Sequence, residues 1–191
     1  MVSRESENVG KPDRLEQAHA NRCAEDGLVV EQVFSTPDVH PFDEVEWTKR
    51  SAHIGGSGGE TIFEQKDVTV PADWSQLATN VVVSKYFFGE NGSDQRENSV
   101  KQLVHRVTRT IADWGRADGV FATDADSERF YQELTYLCVN QYGAFNSPVW
   151  FNVGLYHQNG VSGSEGNYHW DSSTDAVARV MRSYEHPQSS A

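Results

Sequence analysis

Residues 145–154, with the sequence FNSPVWFNVG, combine aromatic, amide and hydroxyl side chains in a pattern that could do chemistry. Proline restricts the residue before it to extended backbone, so Ser147 is predicted to present its hydroxyl on an extended segment, where it could donate to an anion or a sugar. The alternative is a buried strand in which Trp150 and Phe151 fill a core and the preceding polar residues form a turn. Composition alone favours the buried strand, because polar turn residues before an apolar run are common.

Other reactive side chains do not form a recognisable catalytic or metal-binding group. Cys23 and Cys138 are too few and too far apart for a disulfide framework or a cysteine-ligated zinc site. Cys138 continues the apolar face of a predicted helix, which favours a buried structural thiol. The carboxylates Asp43, Glu44 and Glu46 lie in a charged stretch with few apolar neighbours, which makes them poor general acids. No i,i+4 pair typical of a helical metal site occurs among the seven histidines, which are His19, His40, His53, His105, His157, His169 and His186.

The charge balance narrows the class of partner. The 191 residues include 16 Lys and Arg against 28 Asp and Glu, a formal net charge of −12. This argues against nucleic acid polymers and anionic membrane surfaces, because both need basic residues, whereas one small anion could still bind backbone N–H groups. No apolar run reaches the roughly 18 residues that span a bilayer, and the N-terminus lacks a secretory signal. A cytoplasmic protein is therefore expected.

The elements that must position these residues begin with a β-hairpin. Two alternating segments flank the glycine-rich loop 55–59, and no Lys-Ser/Thr follows the glycines, which favours a hairpin turn over a phosphate-binding loop. A helix entry is predicted at 71–80, capped by Asp73 or Ser75. The valines 81–83 could then belong to a buried strand or a buried helix.

Two amphipathic helices give the clearest periodic signal. The first is predicted to begin at the N-cap Ser93 and to end at Gly115. The second is predicted to run from the N-cap Thr123 to Gly143 and to pair with the first in antiparallel fashion. The apolar stripe of the first helix repeats at three- and four-residue spacing and consists of Val100, Leu103, Val104, Val107, Ile111 and Trp114.

The two ends of the chain carry weaker signals. Residues 1–33 are predicted to form a mobile N-terminal arm, with at most a short helix over 14–23, and residues 34–191 the main region. Residues 160–175 are interpreted as a long exposed insertion, and residues 177–184 as a short helical turn.

Six motifs between residues 34 and 191 carry a family signature. They read FSTPDVHPFDEVEWTKRSAHI, IFEQKDVTVP, WSQLATNVVVSKYFFG, SVKQLVHRVTRTIADWGRADG, FNSPVWFNVGL and YEHPQSSA. In this order and at this spacing they resemble the N-terminal part of the class II, vitamin B12-dependent ribonucleotide reductases. The resemblance implies an α+β fold, with a mostly helical N-terminal region leading into the first elements of a ten-stranded α/β barrel.

The resemblance also implies an activity. In such enzymes adenosylcobalamin generates a thiyl radical that abstracts a ribose 3′-hydrogen, and a cysteine pair reduces the 2′ position, so that ribonucleotides become 2′-deoxyribonucleotides for DNA synthesis. The implied partners are a ribonucleotide, the remainder of the reductase chain and a thioredoxin-like reductant, with a homodimer left open. The cofactor is expected on the complete enzyme and not on this segment alone.

Two substrate-binding positions carry over from the family. Ser147 corresponds to the substrate-contacting Ser or Thr before the proline of the NSP motif, which reverses the preference for a purely structural role. Ala191 corresponds to the alanine that lines the substrate site in the motif PQxSAC, and the reducing cysteine is expected immediately after it. Neither Cys23 nor Cys138 matches a family cysteine. No catalytic or metal-binding residue is therefore assigned, and the chain alone is expected to be inactive, for example as the first part of an interrupted reductase.

Two other functions stay open from the sequence. One is a non-catalytic, reductase-like interaction or regulatory module, and the other is an independent nucleotide-binding protein. Mixing the chain with the complementary remainder of a reductase would distinguish the first of these from a catalytic segment. The independent nucleotide binder is disfavoured, because one hydroxyl and a few backbone groups do not offset the cost of association.

Overall fold

The fold combines helices with two small hairpins, in agreement with the predicted α+β class. The computed structural model describes residues 27–163, 167–171, 174–180, 182–185 and 187. The predicted link to a ten-stranded barrel stays a prediction. In chain order the elements are β1 (Trp47–Gly55), β2 (Thr61–Pro71), α1 (Gln76–Lys85), α2 (Val100–Ala117), α3 (Asp124–Val139), α4 (Ser147–Asn152), α5 (Leu155–Asn159), β3 (Asn167–Asp171) and β4 (Ala176–Val180).

The first hairpin forms where the glycine-rich loop predicts it. Strand β1 pairs with β2 in antiparallel fashion, and the register runs from Trp47 opposite Pro71 to Gly55 opposite Thr61. In the loop, Gly59 has φ 85°, a conformation that favours glycine. Val68 and Val70 of β2 are fully buried, so this end of the hairpin contributes directly to the core.

Helix α1 settles the open question about the valine run, because residues 81–83 are helical. Ser75 is the N-cap, and its side chain accepts a hydrogen bond from the N–H of Ala78 at 3.0 Å. Val83 is fully buried, whereas Val81 is 40 % exposed. The apolar run therefore covers more than one side of the helix.

Helix α2 begins later and ends later than predicted. Its N-cap is Ser99, which forms a capping box with Gln102, whereas Ser93 lies in a turn and donates to the carbonyl of Glu90 at 2.8 Å. Gly115 lies inside the helix and does not end it. A Cβ at Gly115 would come within 2.7 Å of the Phe121 ring, so this glycine allows close packing of the chain that returns after the helix.

Helix α3 begins as predicted, with Thr123 as its N-cap, and ends at Val139, four residues before Gly143. The antiparallel pairing with α2 is confirmed. Arg116, near the end of α2, forms an ion pair with Asp124 at the start of α3, whereas Thr108, earlier in α2, contacts Thr135 near the end of α3 at 2.9 Å.

The core lies between the first hairpin, helices α1 and α2, the end of α3, and α4. Trp74 donates from its indole N–H to the carbonyl of Val139 at 2.8 Å, which ties the loop before α1 to the end of α3. The buried core cluster consists of Ala52, Val68, Val70, Trp74, Val83, Phe87, Val100, Leu103, Val104, Val107, Cys138, Val139, Trp150 and Val153. None of the helices in the described residues is long and apolar enough to cross a membrane.

The C-terminal hairpin corrects the predicted helical turn at 177–184. Residues 176–180 form strand β4, which pairs with β3 so that Asp171 lies opposite Ala176. Residues 183–185 form a turn. The β-branched and aromatic residues Trp170 and Val177 favour strands over helices, and both are largely exposed.

The chain that enters the domain, residues 27–35, lies against α3 and is called the anchored segment below. Its backbone N–H groups donate to two carboxylates of α3: Val30 to Asp126 at 3.0 Å, and residues 33–35 to Glu133 at 2.8–2.9 Å. The rest of the predicted arm, with the short helix 14–23, lies outside the described residues.

Candidate functional site

Ser147 is the first residue of the short helix α4 and is not on an extended segment. Asn146 is the extended residue (φ −66°, ψ 160°), and its side chain caps the helix by accepting from the N–H of Val149. Pro148 fits the first turn, where its missing N–H would have no helical partner. Both predictions, an extended serine and a buried strand, are therefore wrong. The bias that proline imposes on the preceding residue is a preference, and the cap at Asn146 outweighs it.

The two aromatic residues of α4 face different surroundings. Trp150 is buried, and its ring lies edge-on to Phe145 at 5.4 Å and tilted towards Tyr86 at 6.5 Å. Phe151 is 44 % exposed and contacts Tyr86 at 5.4 Å. The prediction that both rings fill the core thus holds for Trp150 alone.

Ser147 forms a hydroxyl pair with Tyr86. The two oxygens are 3.1 Å apart, and either could donate. Tyr86 is the C-cap of α1, and its backbone N–H donates to the carbonyl of Val82 at 2.9 Å. Both side chains are half-buried. The pair therefore connects the end of α1 to the start of α4.

A buried arginine fixes both ends of this connection, and we call its set of contacts the Arg106 clamp. Arg106 donates to the carbonyls of Val153 at 2.7 Å, Trp150 at 3.2 Å and Tyr86 at 3.3 Å. It also forms an ion pair with Glu97 at 2.9 Å, with both side chains at most 5 % exposed. Because one guanidinium contacts both backbones, α4 and the end of α1 are held in one arrangement.

Two further contacts complete the Arg106 clamp. The second carboxylate oxygen of Glu97 accepts from the N–H of Phe88 at 2.8 Å, so the buried charge has backbone as well as ionic partners. Gly154 has φ 84°, and a Cβ there would lie 2.4 Å from the carbonyl oxygen of Arg106. The chain after α4 can approach α2 this closely only because residue 154 is glycine.

An aromatic cavity of about 320 Å³ opens next to Tyr86, whereas Ser147 is not among its lining residues. Its volume is at the lower end of the range for small-molecule pockets. Its wall includes Tyr86 of the pair and is otherwise mainly apolar; the lining residues are Trp74, Val82, Tyr86, Leu103, Val104, Cys138, Gln141, Tyr142, Gly143, Ala144, Phe145 and Trp150.

Cys138 lines this cavity but is not a nucleophile. Burial raises the pKa of its thiol to about 12, so the sulfur stays protonated near neutral pH. The structure describes it as a free, buried cysteine. The predicted structural role of Cys138 is confirmed.

A second polar cluster lies between α2 and α3, away from Ser147. The N–H of Phe42 donates to Nδ1 of His40, so His40 carries its proton on Nε2 and donates to the Tyr131 oxygen at 3.2 Å. The Tyr131 oxygen also lies 2.8 Å from Nδ1 of His105, and the tautomer of His105 decides which of these two atoms donates. Burial, and then the charge of Arg109, lower the pKa of His105. Burial raises the pKa of Tyr131. These shifts favour neutral rings in a structural chain of hydrogen bonds.

Of the two predicted substrate residues, Ser147 lies against Tyr86. Ala191, like Cys23, lies outside the described residues. Tyr86, Glu97 and Arg106 were missed from the sequence. A signal existed for Arg106, because it lies between the apolar stripe positions 103, 104 and 107, where an exposed arginine would not be expected.

Within the described ranges, no group of three or more His, Cys, Asp and Glu side chains could hold a metal ion.

Comparison with known proteins gives concordant matches. A family model described as class II vitamin B12-dependent ribonucleotide reductase matches residues 48–141. The chain is 56 % identical over 167 residues to a vitamin B12-dependent ribonucleotide reductase of Rhodopirellula baltica, covering 86 % of this chain and 16 % of that protein. The corresponding enzyme of Streptomyces coelicolor is 44 % identical over 150 residues, or 78 % of this chain and 15 % of that protein. The chain therefore spans about one-sixth of the length of these relatives.

Proposed function

Because the chain belongs to the class II, vitamin B12-dependent ribonucleotide reductases, we propose that it supplies the N-terminal scaffold and one wall of the substrate pocket of such an enzyme. The proposed reaction of the complete enzyme is the conversion of ribonucleotides to 2′-deoxyribonucleotides by thiyl-radical chemistry. The proposed partners are the remainder of the reductase polypeptide and a thioredoxin-like reductant, in the cytoplasm.

The observation that carries the pocket role is the fixed hydroxyl of Ser147. It lies at the start of α4, 3.1 Å from the hydroxyl of Tyr86, and Tyr86 in turn lines a cavity with aromatic walls. A serine hydroxyl can both donate and accept, so it can bind a hydroxyl or phosphate oxygen of a nucleotide. The proposed second substrate residue, Ala191, contributes only shape because its side chain is a methyl group.

We propose that cobalamin binds outside this segment. The aromatic cavity of about 320 Å³ and a polar cleft of about 720 Å³, which is lined by residues of β2 and of the loop before α2, are each too small for a corrinoid with its nucleotide loop. Adenosylcobalamin supplies the initiating radical when it is bound. We therefore propose that the remainder of the enzyme binds the cofactor.

The chain alone is proposed to lack reductase activity. Reduction at the 2′ position needs thiols that give up protons and electrons, and the Cys138 thiol is buried with a pKa of about 12. The proposed role of this chain is to bind and orient a nucleotide and to exclude water from it. The reducing thiols belong to the rest of the polypeptide.

Reconstitution with a substitution at Ser147 tests the proposal. The chain mixed with the remainder of the reductase should show cobalamin-dependent reduction of ribonucleotides. Ser147→Ala should raise KM for the nucleotide about 3- to 10-fold, the loss of one hydrogen bond. Ser93→Ala, in an exposed turn, is the matched control and should leave KM unchanged. An unchanged KM for Ser147→Ala would exclude the substrate role.

A docking or regulatory module is the second candidate, and the anchored segment favours it. Leu28, Val29, Val33 and Phe34 are each at least half exposed. The backbone of Leu28 nevertheless pairs with Val120 and Ala122, and the N–H groups of residues 33 and 34 donate to Glu133 of α3. Exposed apolar side chains on a fixed backbone are typical of an interaction surface. If the remainder of the reductase is fully active without this chain, the docking function replaces the catalytic one.

A further inference from the structure

Tyr86 contacts several parts of the candidate site. Its hydroxyl pairs with Ser147, its carbonyl accepts from Arg106, and its ring packs on Trp150 and Phe151 while lining the cavity. These contacts give one side chain control over where the Ser147 hydroxyl points. We propose that Tyr86 is a positioning residue that orients the Ser147 hydroxyl for the nucleotide before the nucleotide binds. This inference rests on the substrate role proposed above for Ser147.

The Arg106 clamp holds the backbones of Tyr86 and of α4 in a fixed arrangement. The same nitrogen, Nη2, donates to the carbonyl of Tyr86 and to the carbonyl of Trp150, three residues after Ser147. The two backbones that carry the hydroxyls therefore cannot move independently. Gly154 allows the close approach that this arrangement needs. The distance between the hydroxyls is thus fixed by packing and does not depend on a ligand.

The chemistry of the two hydroxyls indicates which of them donates. A phenol is more acidic than an alkyl alcohol, so Tyr86 is the expected donor and the Ser147 oxygen the acceptor. The Ser147 proton is then free to point at an acceptor oxygen of the nucleotide. Without the phenol, the Ser147 hydroxyl would rotate among its staggered positions. Binding of the nucleotide would then have to restrict this rotation, and the entropy cost would weaken the affinity.

The decisive variant is Tyr86→Phe in the complete reductase, because phenylalanine keeps the ring and removes only the hydroxyl. We expect KM for the ribonucleotide to rise about 3- to 5-fold, with kcat and the thermal midpoint nearly unchanged. Tyr136→Phe is the matched control, since Tyr136 is also half-buried but is not among the residues lining the cavity. It should leave KM as in the parent enzyme.

A double-mutant cycle shows whether Tyr86 acts through Ser147. The double variant Tyr86→Phe/Ser147→Ala should have the KM of Ser147→Ala alone, because the phenol then has nothing to orient. An additive effect, a parental KM for Tyr86→Phe, or a lowered thermal midpoint with no change in KM would each overturn the inference. If Ser147→Ala itself leaves KM unchanged, the proposed function fails first and the inference fails with it.

Discussion

Residues 33–35 of the anchored segment and the segment 146–154 are each held through their backbones by one charged side chain, but the charges are opposite. Glu133 accepts from three successive N–H groups of residues 33–35. Arg106 donates to three carbonyls, two of which belong to segment 146–154. A carboxylate can therefore hold a segment through its N–H groups, and a guanidinium can hold a segment through its carbonyls.

The surroundings of the two ions differ more than their hydrogen bonds do. Arg106 and Glu97 are buried as a pair, and Trp150 of the attached segment fills the core. Glu133 is also buried, but the segment that it holds keeps its apolar side chains towards solvent. The clamp is thus part of the core, whereas the anchor is an attachment at the surface. We expect substitutions in the Arg106 clamp to destabilise the whole domain. The anchored segment, by contrast, should detach from α3 without unfolding the domain.

Arg106→Met should have the largest effect on stability. It leaves the buried carboxylate of Glu97 without its cation and removes the arginine donor from three carbonyls, which should cost about 3–5 kcal/mol of unfolding free energy. Urea denaturation measures this. Arg116→Met removes an ion pair whose partners are both more than half exposed and should change stability by less than about 0.5 kcal/mol. Equal effects of the two substitutions would show that the clamp is not structural.

Gly154→Ala should have the next largest effect. The added Cβ meets the Arg106 carbonyl at 2.4 Å and the left-handed backbone is strained as well, so a loss of about 3 kcal/mol is expected. Gly160→Ala separates the two causes, because Gly160 has φ 69° with no atom within 4 Å of the new Cβ. It should lose only about 1 kcal/mol in the same denaturation measurement. A similar loss at both positions would mean that the close approach to α2 contributes little.

Glu133→Gln should have the smallest effect, about 1–2 kcal/mol, because the amide keeps one acceptor oxygen for the segment. Amide hydrogen exchange at residues 33–35 should speed up while exchange at α2 stays slow. Glu128→Gln, at a half-exposed position of the same helix, is the control. If exchange at 33–35 does not change, the anchor does not depend on the carboxylate.

The anchor should also weaken in acid. Burial tends to raise the pKa of Glu133, but hydrogen bonds from residues 33–35 outweigh this and lower it overall. The pKa of Asp126 is lowered to about 2, first by the hydrogen bond from Thr123 and then by that from Val30. Both groups stabilise the folded state above their unfolded pKa values, near 4.5 and 3.8, and this contribution is lost as pH falls towards 2. The difference between the parent and Glu133→Gln should therefore shrink over that range.

Local signals predicted the first hairpin, the start of α3 and the pairing of α2 with α3. The start of α2 was also encoded, because Ser99 and Gln102 form the pattern S-x-x-Q directly before the apolar stripe, yet the glycine next to Ser93 gave a competing signal. Strand β4 was missed because a five-residue apolar segment is compatible with either period. These errors concern the choice between local signals.

The site needed information that local patterns do not contain. Tyr86 and Ser147 are 61 residues apart, and Arg106 reaches a carbonyl 47 residues away. Such contacts depend on how α1, α2 and α4 pack and not on the spacing of any motif. The family resemblance identified Ser147 without these contacts, but it could not identify Tyr86 as the hydrogen-bond partner of the Ser147 hydroxyl.

Hydrogen bonds of the anchored segment join residues 96 to 100 positions apart, which bears on the order of folding. Closing a loop of that length costs about 4 kcal/mol of chain entropy, and the accepting carboxylates are brought together only when α3 is helical. Contacts between α2 and α3, by contrast, join neighbours in sequence and can form early. The segment should therefore join last, so that its attachment to α3 reports a completed domain.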